Sequence, residues 1–361
     1  MRVLAASRGF FALQLLIFLL AWLVLVEILV RTLLMSPSHV RPDAGVGWMH
    51  PANESFLILT SDAGYQRGTT NSLALNDAEP GPKTRQRVLV VGDSYVEAFQ
   101  LPRQDNFISL AARRMPRLQW INGGHSGLDP LTELAFLAQL EGPVRPDAVL
   151  LVINSEDENE LKADRISVKS CGRHVCDYHA PPPPLQGAAG SPTARWLMGH
   201  SALVTFLARK YKDMLTAALA NFVAPFRKDA AAPAVAAPGN GWRPYEDADV
   251  QDVLALIFRK FAAHHPVVVA LVPSLAYGPD RRATAGDSLP FRLEVAGACA
   301  AARVRCVDLG AALANAYARS GQPPTGFEFN VPGRGHLNTL GHVAVADALA
   351  DAFADFPERR P

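Results

Sequence analysis

Short apolar runs alternate along the chain with longer segments in which apolar residues recur at helical spacing. A run that is apolar throughout predicts a strand that is buried on both faces, as in a parallel sheet. Strands that alternate with helices predict one parallel sheet with helices on both sides. The predicted fold class is therefore α/β, a three-layer α/β/α sandwich. The predicted strands are 88–91, 118–121, 148–153, 267–272 and 304–307, and the predicted helices include 94–114, 247–263, 293–302 and 309–318.

The N-terminus has a different pattern, because residues 9–26 form an 18-residue stretch without any charge. A helix of about 20 apolar residues spans a bilayer, whereas the apolar region of a cleaved signal peptide has about 7–15. No clean cleavage site of small residues precedes Met35, which favours an uncleaved transmembrane helix over a signal peptide. We predict an anchor at 9–34, a lead-in segment at 35–85 and a main domain at 86–361.

An insertion at about 160–245 interrupts the alternation of strands and helices within the main domain. It contains a run of prolines at 181–184, a helical stretch at about 193–226 and an Ala/Pro-rich linker at 229–241. Apolar residues at helical spacing predict a helix that packs on the core or covers the cleft. A surface for a partner or for the membrane is the alternative interpretation.

The four cysteines form two close pairs, Cys171 with Cys176 and Cys299 with Cys306. Such pairs predict two local disulfides, which persist in an oxidising compartment such as the periplasm. Basic residues flank the apolar stretch almost equally on both sides, so the cysteines decide the predicted orientation: inner membrane, with the domain in the periplasm. His174 and His179 offer zinc as an alternative for the first pair, but the spacing does not match the common zinc templates. We predict no metal site and no cofactor.

The overall charge gives no reason to expect a polyanionic partner. The formal net charge is +1 and the isoelectric point is near 7.8. Nucleic-acid-binding domains usually carry a strong basic excess. We therefore predict no nucleic acid among the partners.

Ser94 is the first candidate for chemistry. The apolar run at 88–91 ends in Gly92-Asp93-Ser94, and a helix-compatible segment follows. Glycine allows the sharp turn out of the strand, and Ser94 then lies at the carboxyl end of a strand beside unpaired backbone N–H groups. An α/β protein places a nucleophile at this point, although a capping serine is a common alternative.

The letters Gly-Asp-Ser-Leu also occur at 286–289, where we interpret them without chemistry. No apolar run precedes them, and Pro290 follows immediately. Asp287 or Ser288 as a helix cap, with proline in the first turn, explains this stretch. The context selects Ser94.

Three further polar segments follow Ser94 in the chain. Residues 122–127 contain Asn, three Gly and His after the strand at 118–121, and residues 154–157 read Asn-Ser-Glu-Asp after the strand at 148–153. The last segment, 333–342, contains a His-x-Asn-x-x-Gly-His run before an Ala/Val-rich helix. A turn rich in Gly and Asn is common in any fold, so the order of the segments carries more weight than any one of them.

In this order the segments resemble the sequence blocks of the SGNH/GDSL hydrolase superfamily, over roughly residues 65 to 355. The resemblance implies the α/β/α fold with a parallel, flavodoxin-like sheet, Ser94 as nucleophile and His336 as general base. It also implies that the Gly127 N–H and an asparagine amide bind the oxyanion. We assign that amide to Asn154.

The chain departs from the superfamily pattern at two points. Glu156 occupies the usual place of the asparagine, and an ionised carboxylate there would repel an oxyanion. The acid that usually precedes the histidine is absent, since Gly333 and Arg334 occupy its place. Either Ser94 and His336 act as a dyad, or an acid such as Glu328 or Asp308 completes a triad.

The leading hypothesis is a membrane-anchored serine esterase of SGNH type that acts on small-molecule or glycan esters, such as O-acetylated envelope glycans. An O-acyltransferase that uses the same site is an alternative. A degenerate domain that binds a glycan or a protein without turnover is another, favoured by the two departures. A cytosolic lipase-like enzyme is a third, and free thiols would support it.

Overall fold

A computed structural model describes residues 2–34, 41–60, 64–161, 166–181, 196, 201–204, 207, 241–326, 332–333 and 335–355. The helices are α1 Arg2–Leu29, α2 Ser94–Glu97, α3 Phe107–Arg114, α4 Pro130–Val144, α5 Asp157–Leu161, α6 Val250–Ala262, α7 Leu289–Ala302, α8 Gly310–Ser320 and α9 Thr339–Ala352. The strands are β1 Arg41–Asp43, β2 Gly47–Met49, β3 Ser55–Thr60, β4 Gly64–Thr69, β5 Gln86–Gly92, β6 Leu118–Gly124, β7 Ala148–Asn154, β8 Ser167–Cys171, β9 His174–His179, β10 Trp242–Pro244, β11 Val267–Val272, β12 Ala276–Tyr277, β13 Ala283–Thr284 and β14 Arg305–Asp308.

The central sheet has five parallel strands in the order β6-β5-β7-β11-β14. Counted along the chain, this order is 2-1-3-4-5, the flavodoxin-like arrangement that the sequence predicts. Because the order reverses between β5 and β7, a crevice opens there at the carboxyl ends of the strands. The residues that follow β5 and β7 therefore meet at this crevice.

The two faces of the sheet are packed by separate helices. Alternate residues of each strand point to opposite faces, so Leu89 and Val91 join one core while Val88 and Val90 join the other. Helices α4, α6 and α7 supply the first core, and α3, α8 and α9 supply the second. The predicted three-layer architecture is confirmed.

All five predicted strands of the sheet are present, but the predicted helix at 94–114 is wrong. The chain leaves α2 at Ala98, which has a left-handed backbone with φ of 49°. A 3-10 turn at Arg103–Asp105 follows, and α3 begins only after Asn106, whose side chain accepts the N–H of Ile108. The nucleophile turn is therefore a separate short element.

Both predicted cysteine pairs form disulfides, Cys171–Cys176 and Cys299–Cys306. The first closes the β8–β9 hairpin, and the second joins α7 to β14. With both sulfur atoms in a disulfide, neither Cys171 nor Cys176 is the thiolate ligand that a zinc site requires.

Helix α1 and the π-helical turn after it contain a stretch, Leu13–Thr32, that is long and apolar enough to cross a membrane. Only 6% of its most apolar window is buried, so it is not a core helix of the domain. The Glu27 carboxylate accepts the backbone N–H groups of Ala202 and Leu203. This end of α1 therefore contacts part of the insertion. Most of the predicted helix at 193–226 lies outside the described residues.

The lead-in segment forms two antiparallel hairpins, β1–β2 and β3–β4. The chain then runs through Asn76 and Asp77, which are fixed against the main sheet: the Asp77 carboxylate accepts the N–H of Asn122 in β6. The lead-in segment thus packs directly against the domain. The predicted domain boundary at residue 85 stays a prediction.

Candidate active site

Ser94 begins α2, directly after β5, and is half-buried. Two glycines make room for this turn. A Cβ on Gly92 would meet the side chain of Val96, and one on Gly124 would meet the backbone nitrogen of Glu97. Gly92 and Gly124 are paired in register at the ends of β5 and β6. The short helix that begins with Ser94 thus packs against the ends of β5 and β6.

Ser94 and His336 are brought together across 242 positions of sequence. Ser94 Oγ and His336 Nε2 lie 2.6 Å apart, within hydrogen-bond distance. This is the geometry of a serine with its general base, in which the imidazole is placed to accept the hydroxyl proton. The two residues with the most specific sequence signals therefore form one unit.

A loop before α9 holds His336 in place. Asn338 caps α9 by accepting the N–H of Gly341, and its amide donates to the carbonyl of Pro323. The Tyr95 hydroxyl donates to the carbonyl of Gly335, and the Tyr95 ring lies 4.9 Å from the His336 ring. The residue after the nucleophile therefore also positions the base.

The side chain of Asp93 lies next to the nucleophile and makes three described contacts. It caps α2 by accepting the N–H of Tyr95, it lies 3.4 Å from the Ser94 hydroxyl, and it accepts the Asn154 amide at 3.0 Å. Burial raises the pKa of Asp93 to about 6, while hydrogen bonds and the His336 ring act in the opposite direction. We conclude that Asp93 sets the geometry of the nucleophile turn.

Asn154 lies at the end of β7 and is buried. Its side-chain oxygen accepts the N–H of Glu156, and its backbone N–H donates to the Asp157 carboxylate. Its amide donates to the carboxylate of Asp93, the residue before the nucleophile. The oxyanion role of Asn154 stays a prediction.

Gly127 ends the turn that follows β6. Its φ is +75°, and a Cβ there would meet no atom within 4 Å. Within the part of the chain that the structure describes, the N–H groups of Gly127 and Ser94 donate to no carbonyl or side chain. Two such donors are what an oxyanion requires.

A buried polar cluster braces the turn that carries Gly127. The carboxylate of Glu97 accepts the ring N–H of His50 at 2.8 Å, the N–H of Ser126 at 3.2 Å and the hydroxyl of Ser126. Burial by itself raises the pKa of Glu97, but the hydrogen bonds from His50 and Ser126 hold it below its usual range. Burial also lowers the pKa of His125, whose ring N–H donates to the Ser126 carbonyl.

Glu97, His50 and Tyr95 are the positioning residues that the sequence interpretation missed. Glu97 lies three residues after Ser94, but the predicted helix at 94–114 gives no sign that the nucleophile helix ends there. Its partner His50 lies 47 positions upstream, in the lead-in segment. No local pattern links the two, and only the fold brings them together.

The two predicted departures have different outcomes. Glu156 is exposed, and its charge adds to the factors that raise the pKa of Asp93. The Asp308 carboxylate accepts two hydrogen bonds from Arg292, at 2.9 and 2.7 Å, and the N–H of Gly310. Asp308 is therefore committed at the end of β14. Glu328, the other candidate acid, lies outside the described residues.

The second Gly-Asp-Ser-Leu sequence is a structural turn. Gly286–Ser288 form a 3-10 turn before α7, and the Ser288 hydroxyl donates to the carbonyls of Ser274 and Ala285. Ser288 precedes α7 as expected, but its hydroxyl does not cap the helix. This serine thus has a structural environment, in contrast to Ser94.

Solved structures that resemble this chain are esterases and lipolytic enzymes. They include the acetyl xylan esterase AlAXEase, at 14% identity over 74% of this chain and 98% of that one, with a TM-score of 0.39. They also include TesA, at 13% identity over 75% and 99% of the two chains, with a TM-score of 0.40. A lipolytic protein of the G-D-S-L family from Veillonella parvula matches at 11% identity over 74% and 98%, with a TM-score of 0.37. No protein-family model and no curated protein matches the chain.

The chain resembles SGNH/GDSL hydrolases in the order of its sequence motifs, and its sheet has the strand order 2-1-3-4-5. With such low identities and TM-scores, the similarity carries no argument about the reaction. The chemistry of the site is defined by the contacts of Ser94 and His336.

Proposed function

We propose that the protein is a serine ester hydrolase in which Ser94 is the nucleophile and His336 the general base. The observation that carries the proposal is the 2.6 Å hydrogen-bond distance between Ser94 Oγ and His336 Nε2. A histidine that accepts a hydrogen bond from a serine at the mouth of a parallel sheet is arranged for nucleophilic catalysis.

The proposed reaction has two halves. His336 Nε2 takes the proton of Ser94 Oγ as this oxygen attacks the ester carbonyl, and the resulting imidazolium then protonates the departing alcohol. Water, deprotonated by the same imidazole, attacks the acyl-enzyme. The imidazolium returns that proton to Ser94 Oγ as the ester bond to Ser94 breaks, and the acid is released. The N–H groups of Ser94 and Gly127 stabilise the oxyanion in both halves, and one such donor contributes about 2.7–4 kcal/mol to the transition state.

Asp93 and Asn154 have supporting roles in this proposal. The amide of Asn154 fixes the Asp93 carboxylate, and Asp93 fixes the first turn of α2 through the N–H of Tyr95. The Asn154 amide donates one hydrogen to Asp93. In this proposal only its other hydrogen is donated to the oxyanion.

We propose O-acyl esters, acetyl esters of envelope glycans above all, as the substrates, and the inner membrane as the location. One apolar N-terminal helix and two disulfides support an anchored domain on the oxidising side of the membrane. A sugar hydroxyl in place of water would make the same site an O-acyltransferase. The outcome then depends on which acceptor reaches the acyl-enzyme.

The test is hydrolysis of a small aryl acetate by the full-length protein in an uncharged detergent. We expect turnover in the wild-type protein and loss of at least about 10³-fold in kcat for Ser94→Ala and His336→Gln. Ser288→Ala is the matched control, since it removes the serine of the second Gly-Asp-Ser-Leu sequence, and it should retain activity.

Two outcomes would contradict the proposal. Activity that survives in Ser94→Ala would place the nucleophile elsewhere. Absence of turnover in the folded wild-type protein, with both water and a sugar alcohol as acceptors, would favour the non-catalytic binding domain.

A further inference from the structure

A cleft of about 760 Å³ lies between the β3–β4 hairpin of the lead-in segment and the chain that follows α2. Ser94 and His336 do not line it. Its lining is polar and basic, and includes Phe56, Arg67, Asn76, Arg103, Gln104 and Arg113. None of the described residues that line this cleft is acidic.

Three arginines converge on the cleft without a carboxylate partner in the described part of the chain: Arg67, Arg103 and Arg113. Five described arginines outside the cleft form ion pairs. Those ion pairs are Arg31–Glu27, Arg114–Asp347, Arg243–Asp249, Arg282–Asp280 and Arg292–Asp308. Three guanidinium groups in one concavity, with no acidic residue among the described lining residues, create a positive potential there.

Two of these arginines are already fixed. Arg103 donates to the carbonyl of Thr69 at 2.7 Å, and Arg113 donates to the carbonyl of Gln104 at 2.8 Å. Arg103 Nε is buried and donates to no described group. A guanidinium held by one edge loses little conformational entropy on binding, and its remaining N–H groups match carboxylate or phosphate oxygens.

The acidic residues beside Arg103 do not line the cleft. Asp77 attracts Arg103, and its carboxylate accepts the N–H groups of Asn122 and Ala78. This attraction offsets part of the Arg103 charge and leaves Arg67 and Arg113 without a described carboxylate partner. Asp105 lies in the same turn as Arg103 and does not line the cleft.

The remaining lining suits a sugar chain. Gln66, Asn76, Gln104 and Ser109 supply amides and a hydroxyl, and Phe56 supplies a half-buried aromatic ring. Gly68 lies directly across the hairpin under the Phe56 ring, and Phe99 supports that ring with centroids 4.6 Å apart. An aromatic surface beside hydrogen-bonding groups binds an amphipathic ring such as a pyranose.

The cleft is structurally connected to the candidate active site. Asn76 lines the cleft and donates to the carbonyl of Glu97 at 2.8 Å. Glu97 ends the helix that begins with Ser94, and three residues of helix rise only about 4.5 Å. A chain of several sugars is long enough to extend from one place to the other.

We infer that this cleft binds an anionic oligosaccharide through carboxylate or phosphate groups held by Arg67, Arg103 and Arg113. The inference deepens the proposed function, on which it rests for the idea that the glycan is also the ester substrate. Binding itself requires no turnover.

The test is isothermal titration of full-length Ser94→Ala protein in an uncharged detergent. The probes are an oligogalacturonate, a neutral malto-oligosaccharide of the same length and inorganic phosphate. We expect the oligogalacturonate to bind at low salt, to weaken as salt rises, and to bind at least tenfold more weakly to the Arg67→Gln/Arg113→Gln variant. Arg319→Gln, an exposed arginine outside the cleft, is the matched control and should leave the affinity unchanged.

The phosphate arm identifies the anion. Competition by millimolar phosphate would assign the cleft to phosphate-bearing as well as carboxylated glycans, and absence of competition would assign it to carboxylated sugars. Equal binding of the neutral sugar, no binding of either anion, or no difference between the double variant and Arg319→Gln would overturn the inference. Since no hydrolysis is measured, failure of the esterase test does not affect this result, and failure here leaves the esterase proposal standing.

Discussion

The nucleophile and base meet because each is positioned by its immediate neighbours. Ser94 follows Asp93, which the Asn154 amide fixes, and precedes Tyr95, which holds the loop of His336. The two neighbours of Ser94 thus connect it to the end of β7 and to the loop before α9, which are far apart in sequence. The order of the motifs predicts which residues meet, but not these supporting contacts.

His342 shows how a residue inside a functional motif can be structural. It is fully buried in α9, its Nδ1 accepts the N–H of Phe107, and its ring stacks on Phe107. Burial lowers the pKa of His342 to about 3. The ring therefore stays neutral in the folded protein over the whole range in which an unfolded histidine takes up a proton.

We predict that this buried ring makes the folded protein sensitive to acid. Below about pH 6.5 the unfolded state gains a proton that folded His342 cannot accept, so its contribution to stability is lost progressively toward pH 3. In His342→Gln this titration is absent. The difference in unfolding free energy between wild type and variant should shrink by about 1 kcal/mol per pH unit in denaturant titrations between pH 6 and 4. A constant difference would contradict the prediction.

The helix that carries Ser94 depends on two strand ends that lack side chains. Gly124 is the tighter of the two, because a Cβ there would meet the backbone of Glu97 and Val96. No flexible side chain can move aside to relieve this contact. The position of α2, and with it Ser94, is therefore set by the end of β6.

Gly124→Ala should displace α2 and separate Ser94 from His336. We expect a loss of about 1–3 kcal/mol in unfolding free energy, and a fall in kcat for the aryl acetate that exceeds any change in KM. Gly142→Ala is the control, because Gly142 lies within α4 and an added Cβ meets nothing within 4 Å. That variant should be as active as wild type and up to about 1 kcal/mol more stable. Equal activity and equal unfolding free energy of the two variants would show that the close approach of Gly124 to α2 does not fix the position of Ser94.

Elements with a strong local signal could be predicted from the sequence, and elements that depend on distant contacts could not. The strand at 267–272 was predicted with its bounds, because six consecutive apolar residues leave little choice. The end of α2 at Ala98 was missed, since alanine favours a helix and nothing local indicates its left-handed backbone. The motif assigns the Asn154 amide to the oxyanion, whereas its described contact with Asp93 depends on the pairing of β5 with β7.

At the scale of the whole molecule, the apolar helix and the disulfides support the same proposed location. The Cys299–Cys306 bond links a helix of one layer to the edge strand of the sheet. Closing a loop of this length contributes about 2–3 kcal/mol by the chain-entropy model. The domain thus gains stability from a bond that only an oxidising compartment maintains.

We predict that protein isolated from the membrane, with thiols blocked during lysis, has no cysteine available for alkylation until it is reduced. All four cysteines should then react. A variant that lacks residues 2–34 should stay in the cytoplasm and react without prior reduction. Free thiols in the membrane-bound protein would instead support the cytosolic orientation.

The most direct test of Ser94 as a nucleophile is covalent labelling by a fluorophosphonate, read by intact mass and peptide mapping. An activated serine attacks the phosphorus and displaces fluoride, so the wild-type protein should gain one phosphonyl group on the peptide that contains Ser94. Ser288→Ala should be labelled equally, and Ser94→Ala and His336→Gln should not be labelled on the same timescale. Absence of label in the folded wild-type protein, or label that persists in Ser94→Ala, would contradict a Ser94–His336 catalytic pair.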